Sequence, residues 1–183
     1  MPPATTRADS AARTRSALVD AGLRLAEDGG MSGLSANRVV TEAGVSKGTF
    51  FHHFGGRAAY LVEVHRTFHD RIAEEVRAAA AALPRGKERL LAATTTYLDV
   101  CLRQRGVRAL LFEARSEAAV VEEIGRRNEI SAAFLVNDFR AMDRPHPLEC
   151  ARLWVGMTRE AAVIEFDAGG AVPAVRQALE EFA

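Results

Sequence analysis

The sequence predicts an all-α fold, and three observations support this prediction. Apolar residues recur at intervals of three and four along most of the chain, which is the period of one helical face. Glycine and proline lie between these segments, where helices commonly end. No segment alternates between apolar and polar residues as a half-buried strand does. We therefore predict a three-helix amino-terminal head followed by a larger helical bundle.

Composition is ordinary for a soluble globular chain: 183 residues, 48% apolar and 26% charged, with a formal net charge of zero. Residues 1–57 hold seven Lys and Arg against five Asp and Glu, and the remainder holds 17 against 19. Two cysteines and no secretory segment predict a reducing compartment without a disulfide framework. No apolar run could span a bilayer. We therefore expect a cytoplasmic protein without a membrane partner.

The amino-terminal region predicts a tail followed by one helix. Residues 1–12 are rich in Pro, Ala, Thr and Arg and are predicted to be a disordered tail. Arg7 in this tail, and Arg13 and Arg15 just after it, are available to a DNA backbone or minor groove, and a tail that is only solvated is the alternative. A helix is predicted from about Ala11 to Asp28, ended by two glycines. Its apolar stripe is formed by Ala17, Leu18, Ala21, Leu25 and Ala26.

The stretch from Ser35 to Phe54 predicts two short helices joined by a tight turn. Ser35 can cap the first helix, Gly44 can end it in a left-handed conformation, and Ser46 can cap the second. Two helices joined in this way form a helix-turn-helix, whose second helix lies in the DNA major groove in DNA-binding proteins. Spacing alone leaves both DNA binding and a purely structural helix pair open.

The second of these helices has a composition that suits a nucleic-acid surface. Lys47 can reach a phosphate or a base, Gly48 permits close approach of the backbone, and Thr49 offers a hydroxyl and a methyl group. Phe50 and Phe54, four residues apart, share one face and are interpreted as core residues. The side chains of Phe51, His52 and His53 are distributed around the rest of the helix.

The segment Ala17 to Leu61, and most specifically AGVSKGTFFHHFGGR at Ala43 to Arg57, resembles the DNA-binding domain of the TetR family of transcriptional regulators. This resemblance implies a double-stranded DNA operator as partner. This sequence differs from the family's usual pattern at one position: Phe51 stands where the family usually has a tyrosine that bonds a phosphate. Arg57 stands where the family typically presents a lysine to a phosphate. The DNA contacts that we predict are Ser35, Asn37, Arg38, Ser46, Lys47, Gly48, Thr49, Phe51, His52 and Arg57.

The rest of the chain predicts helices throughout, and the first of them is a mechanical link from the head. The resemblance implies a DNA-binding domain over residues 1–56 and a ligand-binding and dimerisation domain over residues 57–183. It also implies a homodimer formed through the last two long helices. The predicted helices are Arg57–Leu83, Lys87–Gln104, Val107–Arg115, Glu117–Met142, Pro147–Asp167 and Val172–Phe182.

The helix from Pro147 carries apolar residues over more of its circumference than a surface helix needs. One stripe contains Cys150, Trp154, Met157 and Ile164, and further apolar residues lie elsewhere on the helix. Such a helix is either fully buried in one core or buries a second face in a partner. The homodimer implied by the resemblance fits the second case.

Polar or aromatic residues on otherwise buried stripes are candidates for contacts with a small-molecule effector, although an ordinary core has the same composition. For Arg115 the partner could be a carboxylate ligand or an internal glutamate. The pair His65 and His69 has metal-ligand spacing, and Cys101 is a conceivable third ligand. No third ligand is fixed by the sequence, however, and we predict no metal and no cofactor. The candidates are His65, Phe68, His69, Tyr97, Cys101, Phe112, Arg115, Asn128, Phe134 and Trp154.

Catalytic motifs are missing from the sequence: there is no GxSxG elbow, phosphate loop, dinucleotide fingerprint or HExxH helix. We therefore predict that the protein is not an enzyme. The leading hypothesis is a homodimeric repressor that a small molecule releases from its operator. The alternative is a helical partner-binding or catalytic module whose DNA-binding head is vestigial.

Overall fold

A computed structural model of the chain describes residues 6–29, 34–108 and 114–183. Within these ranges the backbone forms helices and turns and no strand, which confirms the predicted all-α fold. No helix in the described ranges is long and apolar enough to cross a membrane. The helices are α1 (Arg7–Gly29), α2 (Ala36–Ala43), α3 (Lys47–Phe54), α4 (Arg57–Ala81), α5 (Lys87–Arg103), α6 (Ala118–Ala141), α7 (Pro147–Ala168) and α8 (Pro173–Phe182).

Two compact units make up the fold. The first comprises the chain up to Phe68 together with Gly106–Val121, and the second comprises His69–Arg105 and Glu122–Ala183. The helix predicted at Val107–Arg115 is described only at its ends. Residues 105–108 are helical and Ala114–Ser116 form a 3₁₀ turn, whereas residues 109–113 lie outside the described ranges.

Helix α1 begins at Arg7, four residues before the predicted start, so the predicted tail over residues 1–12 is too long. The cause is a reciprocal cap at its first turn. The Thr6 Oγ1 atom accepts a hydrogen bond from the Asp9 amide at 3.1 Å, and the Asp9 carboxylate accepts one from the Thr6 amide at 3.0 Å. This arrangement satisfies backbone donors that a helix start otherwise leaves unpaired, so the helix can begin there.

The helix-turn-helix forms as predicted, because its caps are local. Ser35 Oγ accepts from the Arg38 amide at 3.2 Å at the start of α2, and Ser46 Oγ accepts from the Thr49 amide at 3.1 Å at the start of α3. Gly44 ends α2 with a φ of 66°, the left-handed conformation that glycine adopts without steric strain. The turn between α2 and α3 is therefore determined by residues within or next to it.

An aromatic cluster lies behind α3. Phe50, Phe54 and Tyr60 are all buried, with both phenylalanine rings 4.9 Å from the Tyr60 ring. The Tyr60 hydroxyl donates to the Leu18 carbonyl at 2.8 Å. Burial raises the pKa of Tyr60, and the charge of Asp20 adds to this rise, so the hydroxyl remains a donor at neutral pH. The cluster thereby ties α1, α3 and the start of α4 together.

The predicted apolar stripe of α1 is buried except at Ala17, which is exposed. The buried face also includes Val19 and Leu23. The centre of this face is therefore rotated about the helix axis away from Ala17, which leaves Ala17 exposed. Gly22 lies on this face, opposite Tyr60. A Cβ atom at Gly22 would lie 2.0 Å from the Tyr60 hydroxyl oxygen, so only glycine permits this approach.

In the second unit, α5 packs against α7 around Trp154, which is 1% exposed. The Trp154 indole donates to the Thr94 hydroxyl at 2.9 Å, and that hydroxyl donates to the Leu90 carbonyl at 2.8 Å. Asp138 on α6 is fully buried and forms an ion pair with Arg89 at the start of α5. These polar contacts join α5 to α6 and α7 inside the core of this unit.

We expect Gly22→Ala to lower the free energy of unfolding by about 1–3 kcal/mol, because its methyl group displaces the Tyr60 hydroxyl. Denaturant unfolding followed by circular dichroism measures the change. Adding Tyr60→Phe to Gly22→Ala should recover part of the loss, because the clashing oxygen is gone.

Gly125→Ala is the matched control for this measurement. An added Cβ at this exposed helical position meets no atom within 4 Å in the part of the chain that the structure describes, so the free energy of unfolding should rise by up to about 1 kcal/mol. If Gly22→Ala were as favourable as the control, the proposed contact with Tyr60 would be wrong.

Candidate nucleic-acid interface

Helix α3 exposes four residues on one side: Lys47, Gly48, Phe51 and His52. We call this set the recognition face. Its residues are spaced as neighbours one turn apart, while Phe50 and Phe54 lie on the buried side. The face combines a cation, an open stretch of backbone, an aromatic ring and an imidazole. Such a set can contact phosphates and base edges but holds no constellation for covalent chemistry.

Gly48 has no packing reason to be glycine. Among the described residues, a Cβ built at this position meets only the Ser46 Oγ atom, at 3.7 Å, which is ordinary contact. Glycine inside a helix costs about 1 kcal/mol relative to alanine. The recognition face therefore contains an open notch that the folded head does not require.

Three of the predicted DNA contacts take part in helix capping: Ser35 and Ser46 are caps, and Thr49 is bonded to the Ser46 cap. The Ser35 and Ser46 hydroxyls accept from the Arg38 and Thr49 amides, as described above. The Thr49 hydroxyl lies 2.9 Å from Ser46 Oγ, and Thr49 is half-buried. Their hydroxyl groups thus already have a structural role, which the sequence indicated for the serines as helix caps but not for Thr49.

The remaining predicted contacts flank the recognition face. Asn37 and Arg38 are exposed in the first turn of α2. Arg57 is exposed at the start of α4, and its Nη1 atom donates to the Leu34 carbonyl at 3.2 Å. The guanidinium group of Arg57 is thus oriented by the residue that precedes the helix-turn-helix. Within the first unit, the structure brings all ten predicted DNA contacts onto α2, α3 and their immediate flanks.

Arg15, predicted to be available to a DNA backbone, instead binds within the head. Its Nη1 atom donates to the His53 carbonyl at 2.7 Å, and its Nη2 atom lies 3.0 Å from the Glu63 carboxylate. Its guanidinium group also lies over the Phe54 ring, 4.5 Å from the centroid. Partial burial lowers the pKa of His53, and the neighbouring charges of His52 and Arg15 lower it further. Arg15 therefore supports the end of α3.

The candidate effector contacts fall in both compact units. Phe112 lies outside the described residues, and no cluster of three or more metal-ligating side chains occurs among those that are described. His65, Phe68, Cys101 and Trp154 are buried, and the others are half-buried. The first unit holds His65, Phe68 and Arg115, and the second holds His69, Tyr97, Cys101, Asn128, Phe134 and Trp154.

Trp154 and Phe134 are candidates whose structural partners are seen directly. Trp154 bonds Thr94, and the Phe134 ring lies 4.5 Å below the Arg89 guanidinium group. One polar group on the same buried side of α7 was missed by the sequence analysis. Thr158 is 8% exposed, and its hydroxyl has no hydrogen-bond partner among the described residues. The sequence could have indicated its burial, because Thr158 lies four residues after Trp154 and therefore on the same face of the helix.

Like Asp138, Glu165 is a buried carboxylate of the second unit, and it holds the carboxy-terminal helix in place. Glu165 on α7 is fully buried and accepts from Arg176 Nε at 2.7 Å and from the Val172 amide at 3.1 Å. Burial alone would raise the pKa of Glu165, but these hydrogen bonds outweigh it and the pKa is lowered. The carboxylate is therefore ionised at neutral pH and holds α8 against α7.

Residues 18–64 match the family model of bacterial regulatory proteins of the tetR family. The chain carries a TetR-type domain. This match includes the whole recognition face, and it confirms the resemblance seen in the sequence. No curated protein matches the chain.

Solved structures similar to this chain include TetR-family proteins. A transcriptional regulator from Rhodococcus is 20% identical over 92% of each chain, with a TM-score of 0.76. A protein described as a TetR-family transcriptional regulator, also from Rhodococcus, is 18% identical over 93% of this chain and 96% of its own, with a TM-score of 0.76. The multidrug-binding protein EbrR, solved with imidazole, is 21% identical over 92% of this chain and 93% of its own, with a TM-score of 0.75. The chain thus has the fold of TetR-type transcriptional regulators along nearly its whole length.

Proposed function

We propose that this protein is a transcriptional regulator that binds a double-stranded DNA operator through its recognition face. The observation that carries the proposal is the exposed set Lys47, Gly48, Phe51 and His52 on the second helix of a capped helix-turn-helix. In this motif the second helix enters the major groove, and the first crosses the backbone. Residues 1–56 form the DNA-binding domain in this proposal, and residues 57–183 form the effector-binding and dimerisation domain.

The charge of the chain supports binding by two copies. A formal net charge of zero gives no long-range attraction to DNA, so one head contributes only its few local cations. A two-fold pair doubles these contacts and places two recognition helices about 34–36 Å apart, one turn of DNA. Because its operator is cytoplasmic in a bacterial cell, the proposal places the protein in the cytoplasm.

A second copy is supported by the outer face of α7 and the end of α8. Leu153 is 70% exposed, Ile164 is 41% exposed, and Phe182 on α8 is 67% exposed. Gly156 lies between the first two along the same exposed side, and a Cβ there meets no atom of the described residues within 4 Å. Large apolar groups flanking a small residue favour close packing of a second helix. We propose that the partner is the same face of another copy.

We expect Gly48→Ala to raise the free energy of unfolding by up to about 1 kcal/mol, because alanine favours the helix and meets no close atom. The same substitution should weaken operator binding by about tenfold or more, equivalent to about 1.4 kcal/mol, because its methyl group fills the notch that faces DNA. Fluorescence anisotropy with a duplex selected from a random-sequence library measures the affinity. Gly125→Ala is the control and should leave the affinity unchanged.

Salt dependence separates this proposal from a vestigial head. Lys47→Ala should weaken binding to all duplexes similarly and reduce the slope of log K against log salt by about 1, as loss of one phosphate contact requires. Wild-type protein without sequence-selective, salt-dependent binding would contradict the proposal. Under the alternative of a partner-binding or catalytic module, changing Lys47 and Thr49 to alanine would leave cellular activity untouched.

The dimer has its own test. The double variant Leu153→Glu with Ile164→Glu should sediment as a monomer, because it places charges in an apolar contact, and its operator affinity should fall by about tenfold or more. Ile130→Glu is the control, since Ile130 is 47% exposed on α6 and outside the proposed contact. Analytical ultracentrifugation distinguishes the species. A dimeric double variant would show that another surface pairs the copies.

We further propose that a small-molecule effector binds in the second unit and releases the protein from DNA. Its support is the buried Thr158 hydroxyl, which has no partner among the described residues and lies one helical turn after Trp154, whose indole bonds Thr94. EbrR, of similar fold, is a multidrug-binding protein. A coupling of about 1–3 kcal/mol between effector and operator would change operator affinity roughly 5- to 150-fold.

Thr158→Val tests the effector proposal. We expect native mass spectrometry of wild-type protein purified from cells to show a bound small molecule, and the variant to lose it, because valine fills the same space without a hydroxyl. The free energy of unfolding of the ligand-free variant should not fall, since the substitution removes a buried unsatisfied group. Thr95→Val, on the exposed side of α5, should retain the molecule. A Thr158→Val protein with the wild-type bound mass would contradict a contact at Thr158.

A further inference from the structure

Phe51 is the apolar member of the recognition face. Its side chain is 45% exposed, although the neighbouring Phe50 and Phe54 are buried. Burying a phenylalanine side chain is worth about 1.5–3 kcal/mol, so this exposed ring leaves part of that free energy unused in the isolated protein. A partner that covers the ring would recover it.

The Phe51 ring is held in place by the core. Its centroid lies 5.4 Å from that of Phe50 in an edge-to-face arrangement, and Phe50 is 2% exposed and packs on Tyr60. Edge-to-face contacts of this kind stabilise a defined ring orientation. The exposed part of the ring is therefore presented by a rigid support, and binding need not order it.

The notch at Gly48 lies one turn before Phe51 on the same side of α3. A Cβ at Gly48 would meet only Ser46 Oγ within 4 Å, so neither the Phe51 ring nor any other described side chain fills the notch. The two residues together place unfilled space at Gly48 beside the exposed ring of Phe51 on one side of α3. This space suits a methyl-sized group.

Base edges in the major groove offer one apolar group, the C5-methyl of thymine. We propose that Phe51, beside the notch at Gly48, reads a thymine methyl in each half of the operator and so determines specificity at that base pair. This inference rests on the proposed function, because it requires α3 to lie in the major groove. Beyond that function, the inference names thymine as the base that Phe51 selects.

The test uses the wild-type protein and a duplex selected from a random-sequence library. Each thymine of the duplex is replaced in turn by deoxyuridine, which lacks only the methyl group, and affinity is measured by fluorescence anisotropy at fixed salt. One symmetric pair of positions should lose about fourfold per half-site, the factor for one buried methyl-sized group. Phe51→Ala should lower affinity for the thymine duplex and abolish this difference between thymine and deoxyuridine.

His52→Ala is the matched control, since His52 is exposed on the same face. It should keep the full thymine preference at the Phe51 position whatever its effect on overall affinity. Phe51→Leu, which keeps an apolar side chain, should retain part of the preference.

Two results would overturn the inference while leaving the proposed function intact. The first is tight, selective binding in which no deoxyuridine position weakens the wild-type complex, as a contact of the ring with a sugar predicts. The second is a deoxyuridine effect that persists undiminished in Phe51→Ala. Failure to select any duplex would instead contradict the proposed function itself, and the inference with it.

Discussion

The packing of Phe50 and Phe54 on Tyr60 fixes how α3 is turned about its own axis. Residues 50 and 54 lie on one side of the helix, so burying both leaves the recognition face exposed on the other. Tyr60 is itself held by the hydrogen bond from its hydroxyl to Leu18, and Gly22 leaves the space that this hydroxyl occupies. The orientation of the recognition face therefore depends on α1 and α4, although neither helix contributes a residue to it.

Arginine has a mainly structural role in the second unit. Arg89 pairs with Asp138, Arg176 with Glu165, and Arg127 with Glu123, and all three carboxylates are buried. Removing one partner of a buried pair typically costs several kcal/mol, because the other charge is left without compensation. These cations are neutralised where they stand and add nothing to an attraction for DNA. This is one reason why we propose that two heads act together.

Helix boundaries were predictable where their causes lie close in sequence. Ser35, Gly44 and Ser46 act within three to five residues of themselves, and the turn between α2 and α3 formed as predicted. The early start of α1 depends on a similarly local pair, Thr6 and Asp9, and the prediction missed it because the composition of residues 1–12 suggested a tail. Arg15 was placed wrongly for a different reason. Its partners, His53 and Glu63, are 38 and 48 residues away, and no local pattern indicates them.

The sequence by itself determined the all-α fold, the helix-turn-helix and the TetR-type domain, because periodicity, caps and a specific motif are encoded locally. Tertiary structure decided which members of that motif remain exposed. It showed that the Thr49 hydroxyl bonds the Ser46 cap and that Arg15 bonds the His53 carbonyl within the head. It also showed that Phe51 is exposed although the neighbouring Phe50 is buried. The physical reason is that burial and hydrogen bonding join residues far apart in the chain. The stretch from Ser35 to Phe54 therefore specified its own helices, whereas its recognition face was set by what packs behind it.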